Sequence, residues 1–219
     1  MRKQRISNRN RVLIILLMVV ITGASLLSAC GSVKAKGSVD GVEMSDLSAF
    51  EASDMSGYEG LSDYKAKSDL PFVDVTVRDV HELIEAKGTF VLFVSFANCP
   101  WCNAIIKQFL EVVDEVGSEG LKIAQLNTRK NPAWQNNMEI DDYDLFVEDF
   151  GDYLELDENN IKHLYVPHVF FVKDGAVVYE HQGAIPAMGS DPYMELSKAQ
   201  QEELRDVYRE GFKALAPAE

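Results

Sequence analysis

Chemistry in this chain begins with its three cysteines. Two of them form Cys99-Pro100-Trp101-Cys102, a spacing that brings one sulfur within reach of the other across a single helical turn. Such a pair suits thiol–disulfide exchange, in which one sulfur attacks as a thiolate and the other resolves the mixed disulfide. A structural disulfide framework asks for more cysteines at wider spacing. A zinc site asks for two further ligands, and the four histidines (His81, His163, His168, His181) come with no second CxxC and no HxxxH. The reading is therefore redox chemistry on sulfur alone, with no metal and no cofactor. Cys99 is the attacking thiol and Cys102 the resolving one. A free cysteine is mostly protonated at neutral pH, so Cys99 needs a helix N-terminus, whose unpaired N–H groups and dipole favour the thiolate. Pro100 in the first turn costs no helical hydrogen bond and stiffens the loop.

The elements that must supply that geometry can be read around it. Thr89 to Phe96 is a continuous apolar run, as expected of a strand buried on both faces. It leads into the CxxC. Ala104 to Val116 then sets Ile105, Ile106, Phe109, Val112, Val113 and Val116 at helical spacing before Gly117. Upstream, Phe72 to Val77 reads as a strand and Asp79 to Lys87 as a helix closed by Gly88. Downstream, Leu121 to Asn127 is a strand, and His168 to Lys173 and Ala176 to Gln182 are two more, joined by the hairpin signal Asp174-Gly175. Glu195 to Leu215 is an amphipathic closing helix with Leu196, Leu204, Val207, Tyr208 and Phe212 inward.

The N-terminus reads as a targeting segment. Its first 29 residues carry five bases and no acid, and Val12 to Ile21 is an unbroken apolar run followed by small residues. Leu27-Ser28-Ala29-Cys30 resembles the bacterial lipobox, which implies a lipoprotein signal peptide over 1–29 and an acylated Cys30 as first residue of the mature chain. The alternative is an uncleaved anchor, since Val12 to Ala29 spans 18 residues. Both readings put the domain outside the cytoplasmic membrane, and the lipoprotein reading puts it on the extracytoplasmic face of a bacterial cell membrane. Residues 30–70, rich in Ser, Gly and acids, are expected to be a lipidated, flexible tether, with local packing open for Val42 to Tyr58. The domain proper is expected over 71–219. The whole chain carries a net charge of −14, which opposes nucleic acid and anionic lipid as partners.

Three local matches now converge. A strand runs into a CxxC at a helix start, Ile123-Ala-Gln-Leu-Asn127 precedes Asn131-Pro132, and Tyr165-Val-Pro167-His-Val-Phe-Phe-Val-Lys-Asp-Gly175 opens the hairpin. Over roughly residues 71–215 the chain resembles the thioredoxin-like superfamily. The resemblance implies an α/β fold with a mixed central sheet flanked by helices. It implies that Val166–Pro167 is cis, so that Val166 presents backbone groups beside the sulfurs to an extended substrate. Together with the lipobox it implies an exported lipoprotein thiol–disulfide oxidoreductase acting on exported protein or peptide thiols and disulfides, with a redox partner in the membrane. His168 is then read as lying near Cys99, where a positive charge would favour the thiolate; the alternative is a surface histidine without a role. Trp101 is either a platform for substrate or packing over the site, and Pro-Trp most resembles the Pro-Tyr of glutaredoxins. Two departures stand out: Phe93 occupies the place of the family's buried aspartate, and Gln125 that of its paired lysine.

Between Asn131 and Asn160 lie ten acids, no base and five aromatics, an acidic insertion before the proline strand. Leu145, Phe146, Phe150, Tyr153 and Leu154 could form one apolar helical stripe, either packed inward or docking a partner protein. Two other functions remain open. One resembles the thioredoxin-like accessory proteins of bacteriocin export, serving a single secreted peptide. The other is a partner-binding module whose CxxC is a static disulfide.

Overall fold

The computed structural model describes residues 35–216, except 40, 62, 63, 65–69, 118 and 130–139. The expected signal segment, Cys30, Pro132 and Trp134 lie outside the described residues. The centre is a five-stranded sheet of β3 (Phe72–Asp74), β5 (Ile123–Asn127), β4 (Phe90–Ser95), β8 (His168–Lys173) and β9 (Ala176–Gln182), in that spatial order. The first three are parallel and the last two complete it antiparallel. Helices α1 (Val77–Glu85) and α2 (Pro100–Val116) make the two crossovers, and α4 (Lys198–Leu215) closes the chain. This strand order, with its C-terminal hairpin, is the thioredoxin-like fold, an α/β architecture with a mixed sheet between helices.

Side-chain alternation divides the core in two. Every residue of β4 is buried, and successive residues point to opposite faces. Val91 and Phe93, with Val169 and Phe171 of β8, pack beneath α2 and α4 against Ile105, Phe109 and Phe212. Leu92, Val94, Phe170 and Val172 pack on the other face against Val80 and Leu83 of α1 and Phe146 and Phe150 of α3 (Tyr143–Phe150). Local signals act as expected in the β8–β9 turn, where Asp174 and Gly175 both have positive φ, 51° and 77°. Helix α1 begins earlier than its apolar pattern suggests, because Thr76 and Asp79 form a reciprocal capping box. At its far end Lys87, at φ 59°, takes the left-handed position expected of Gly88.

The acidic segment resolves inward. Phe146 and Phe150 of α3 are fully buried, with ring centroids 6.3 and 4.5 Å from that of Phe170. Leu154 is buried as well, while the acids among the described residues face out or pair, as Asp149 does with His81 at 3.1 Å. The apolar stripe is thus spent on the sheet, and its burial stabilises the helix more than propensity can in eight residues. A two-stranded ribbon, β6 (Glu155–Leu156) and β7 (Lys162–His163), follows it.

The expected tether needs correction. Residues 35–61 include a hairpin, β1 (Ala35–Val39) and β2 (Val42–Ser45), and a 3-10 turn over Glu59–Leu61. Val39, Met44, Leu47, Met55, Tyr58, Leu61 and Leu70 are all buried. The folded unit therefore starts well before residue 71. These hydrophobics have no period because the segment is irregular, and each drops singly onto the sheet or α2, which a periodicity test cannot see.

Candidate functional site

Strand β4 ends at Ser95, and the chain must turn to start α2. Asn98 makes that turn at φ 61°, a left-handed position that asparagine tolerates better than most residues. Cys99 is the N-cap of α2 and Pro100 its first helical residue. The Cys102 N–H donates to Cys99 Sγ at 3.1 Å. A thiolate at Cys99 would receive the same bond and the positive end of the helix dipole. The two sulfurs form a disulfide with Cα atoms 5.2 Å apart. Cys99 is 3% exposed and Cys102 0%, so in the oxidised form burial barely distinguishes them. Position in the helix does: only Cys99 sits at the cap.

The segment from residue 55 to 61 holds this turn in place. The Asn98 N–H donates to Gly57 O at 3.1 Å, and the Gly60 N–H donates to Asn103 Oδ1 at 2.9 Å. The other end of the Asn103 amide donates to Cys99 O, also at 2.9 Å. Gly57 must be a glycine for this approach, since a Cβ there would stand 2.6 Å from that of Ala97. Asn98, Asn103 and this strap escape a reading of the sequence. An asparagine beside a CxxC carries a weak turn signal, but its partner forty residues upstream carries none.

Across the sheet edge, Val166–Pro167 is cis. The β4–β8 register ends on the pair Val94 and His168, and just before it Val166 packs against the cluster that contains Phe96, Cys99 and Cys102. Phe96 O accepts the Cys99 N–H at 3.3 Å, so the residue before the proline packs on the cluster to which the cysteine loop belongs. Pro100 and Trp101 are half-buried, and Trp101 packs against the same core cluster that holds both cysteines. Arg129 adds a cation close by, its guanidinium carbon 3.4 Å from the centroid of the Phe96 ring.

His168 requires a second correction. It is fully buried, stacked on Phe170 at 4.0 Å, with Nε2 2.6 Å from Glu180 Oε2. This bond holds the Glu180 carboxyl below the usual carboxylate range. Strand alternation explains the misplacement: His168 pairs with Val94 and shares the α1–α3 face, whereas the cysteines join the cluster on the α2–α4 face.

Phe93 and Gln125 are register partners, as the alignment of strands implied. Phe93 lies between the rings of Phe72 and Phe109, at 5.4 and 5.1 Å. Gln125 is buried and donates from Nε2 to Tyr58 Oη at 2.7 Å and to Ser95 Oγ at 3.3 Å, and those two hydroxyls lie 2.7 Å apart. Tyr58, Ser95 and Gln125 thus form a buried neutral triad beside Phe93. Burial pushes the Tyr58 hydroxyl up to about 12, so it stays protonated through the physiological range.

Among the described residues no group of three His, Cys, Asp or Glu side chains could hold a metal ion. No family model and no curated protein matches the sequence. Solved structures resemble it. Thioredoxin f from spinach chloroplast (long form) is 15% identical with a TM-score of 0.36, over 64% of this chain and 85% of that one. A thioredoxin from Aeropyrum pernix is 16% identical with a TM-score of 0.30, over 61% and 85%. Thioredoxin O2 from Arabidopsis thaliana in its oxidized state is 15% identical with a TM-score of 0.34, over 54% and 87%. The fold stands on the strand order, and the site on the cysteine geometry.

Proposed function

We propose that this chain is a thiol–disulfide oxidoreductase working on exported polypeptides at the outer face of a bacterial cell membrane. The observation that carries the reading is Cys99 at the cap of α2, its sulfur receiving the Cys102 N–H. In the reduced form the Cys99 thiolate attacks one sulfur of a substrate disulfide, forming a mixed disulfide and releasing the other sulfur as a thiolate that takes up a proton. Cys102 then loses its proton and attacks Cys99, closing the Cys99–Cys102 bond and releasing the second substrate thiol. Two electrons have passed from protein to substrate. Run backwards, the same steps oxidise a substrate dithiol. A dithiol or disulfide partner in the membrane resets the pair. Attachment through an acylated Cys30 is supported by Leu27-Ser28-Ala29-Cys30 after the apolar run. No helix among the described residues is long and apolar enough to cross a membrane.

The test is the reduction potential of the Cys99–Cys102 couple in dithiothreitol buffers, together with turnover of insulin disulfides. A working couple should titrate above about −300 mV and turn over; a clip of purely structural use lies below that and does not. Mass spectrometry of the native protein should find a diacylglyceryl group on an N-terminal Cys30, and an unmodified chain from residue 1 or 2 would remove the anchor from the proposal.

A further inference from the structure

The segment 183–197, between β9 and α4, is anchored at both ends, by Ile185 and Met188 and by Leu196, and bare in between. Ile185 and Met188 are buried in the cluster that contains both cysteines. Beyond them, Tyr193 is 81% exposed and Met194 47%. The Tyr193 N–H is tied to Asp191 Oδ1 at 3.0 Å, and Met194 N to Asp191 O, so the tip is a defined turn. A tyrosine left in water at such a tip stabilises nothing in the fold. Its ring is a rigid contact surface with little rotamer entropy to lose.

Tyr193 and Pro192 line a cleft of about 320 Å³ together with Pro100, Asn103 and Ala104 of α2, Asn98 and Glu59. Pro100 is bonded to Cys99, and an extended chain advances about 3.3–3.6 Å per residue. A peptide joined to Cys99 through its own cysteine therefore reaches the cleft with the first or second flanking residue. The volume is at the low end for a ligand pocket and takes one large side chain. Its charged lining residue is Glu59, and Asp191 and Glu195 stand exposed beside Tyr193. These three carboxylates favour a cationic neighbour.

We infer that this cleft is a specificity subsite, selecting polypeptides with an aromatic residue and an adjacent basic residue next to the target cysteine. The aromatic ring stacks on Tyr193 against Pro100 and Pro192, and the base faces Glu59. The inference rests on the proposed exchange activity but adds a substrate class to it. It also gives the 183–197 segment and the residue 55–61 strap a shared purpose, since the cleft needs a wall from each.

The experiment uses the reduced full-length chain in detergent and two short peptides whose single cysteine carries glutathione. One has Phe-Arg on both sides of the cysteine and the other Ala-Gln. Reaction turns the protein dithiol into its disulfide and releases peptide thiol and glutathione. The wild type should favour the Phe-Arg peptide in kcat/KM by about tenfold, the scale of one good aromatic contact plus a screened charge pair. Tyr193→Ser should abolish most of that preference, and Glu59→Gln should remove the part that high salt also removes. A wild type without preference, or a preference that survives in both variants, overturns the subsite. If neither peptide releases glutathione from the wild type, the exchange activity itself fails, a separate result.

Discussion

Replacing Tyr58 by phenylalanine tests the strap and the buried triad together. The variant keeps the ring, 1% exposed, and deletes one oxygen. That oxygen accepts from Gln125 Nε2 and lies 2.7 Å from Ser95 Oγ. Gln125 retains its longer bond to Ser95 at 3.3 Å, so its amide is weakened rather than orphaned. The loss should be about 1–2 kcal/mol, the lower part of the range for a disrupted buried hydrogen bond. For a domain of this size that is a fall in Tm of about 2–8 °C. Alkaline pH supplies the sharper arm. The folded-state value, about 12, is raised above the 10.0 of an ordinary tyrosine. Stability tied to the neutral hydroxyl is therefore fully present below pH 10 and is lost as pH climbs to 12. The loss reaches about 2.7 kcal/mol across the window, at roughly 1.4 kcal/mol per unit. Tyr58→Phe has no such hydroxyl, so its deficit at pH 8 should shrink above pH 10 and close near pH 11. Urea unfolding of a chain beginning at Gly31, followed by far-ultraviolet circular dichroism at pH 8 and pH 11, reads both arms. Equal midpoints at pH 8 with parallel alkaline losses would mean that Tyr58 sits in water and that the segment around it belongs to the tether expected over 30–70 after all. A chain beginning at Pro71 should then fold; with the strap packed as described, it should not unfold cooperatively.

The two cysteines should not be interchangeable: Cys102→Ser should accumulate mixed disulfides with exported proteins on non-reducing gels, and Cys99→Ser should trap few or none. Iodoacetamide should label Cys99 first in the reduced wild type, with labelling still rapid below the ~8.5 of an unperturbed thiol, and equal labelling would reduce the pair to a clip. Phe93→Asp removes the ring between Phe72 and Phe109, so it should cost at least the ~3–5 kcal/mol of a core phenylalanine truncation; a urea midpoint like that of wild type would refute the strand register. His168→Gln should leave the alkylation rate of Cys99 unaltered, because the imidazole lies on the other face of the sheet, and a slowed rate would restore it to the site.

What local sequence determined here is whatever depends on near neighbours. The apolar run from Thr89 to Phe96 was legible as a strand covered on both faces, and the CxxC shortly after it as the opening of a helix. Asp174-Gly175 specified a hairpin because both residues accept positive φ. The apolar stripe of α3 was legible by its spacing, although only the packed structure decided that it faces Phe170 and not a partner. Side-chain direction at the start of β8 was also beyond local reading: the pairing of His168 with Val94 turns its imidazole to the α1–α3 face, away from the cluster that holds the cysteines. Least legible was the strap. Tyr58, Ser95 and Gln125 lie 37 and 30 residues apart in succession, and nothing in any of their neighbourhoods announces the others. A buried hydrogen-bonded triad of this kind exists only once three distant segments have packed, because water satisfies each of those polar groups until the sheet excludes it.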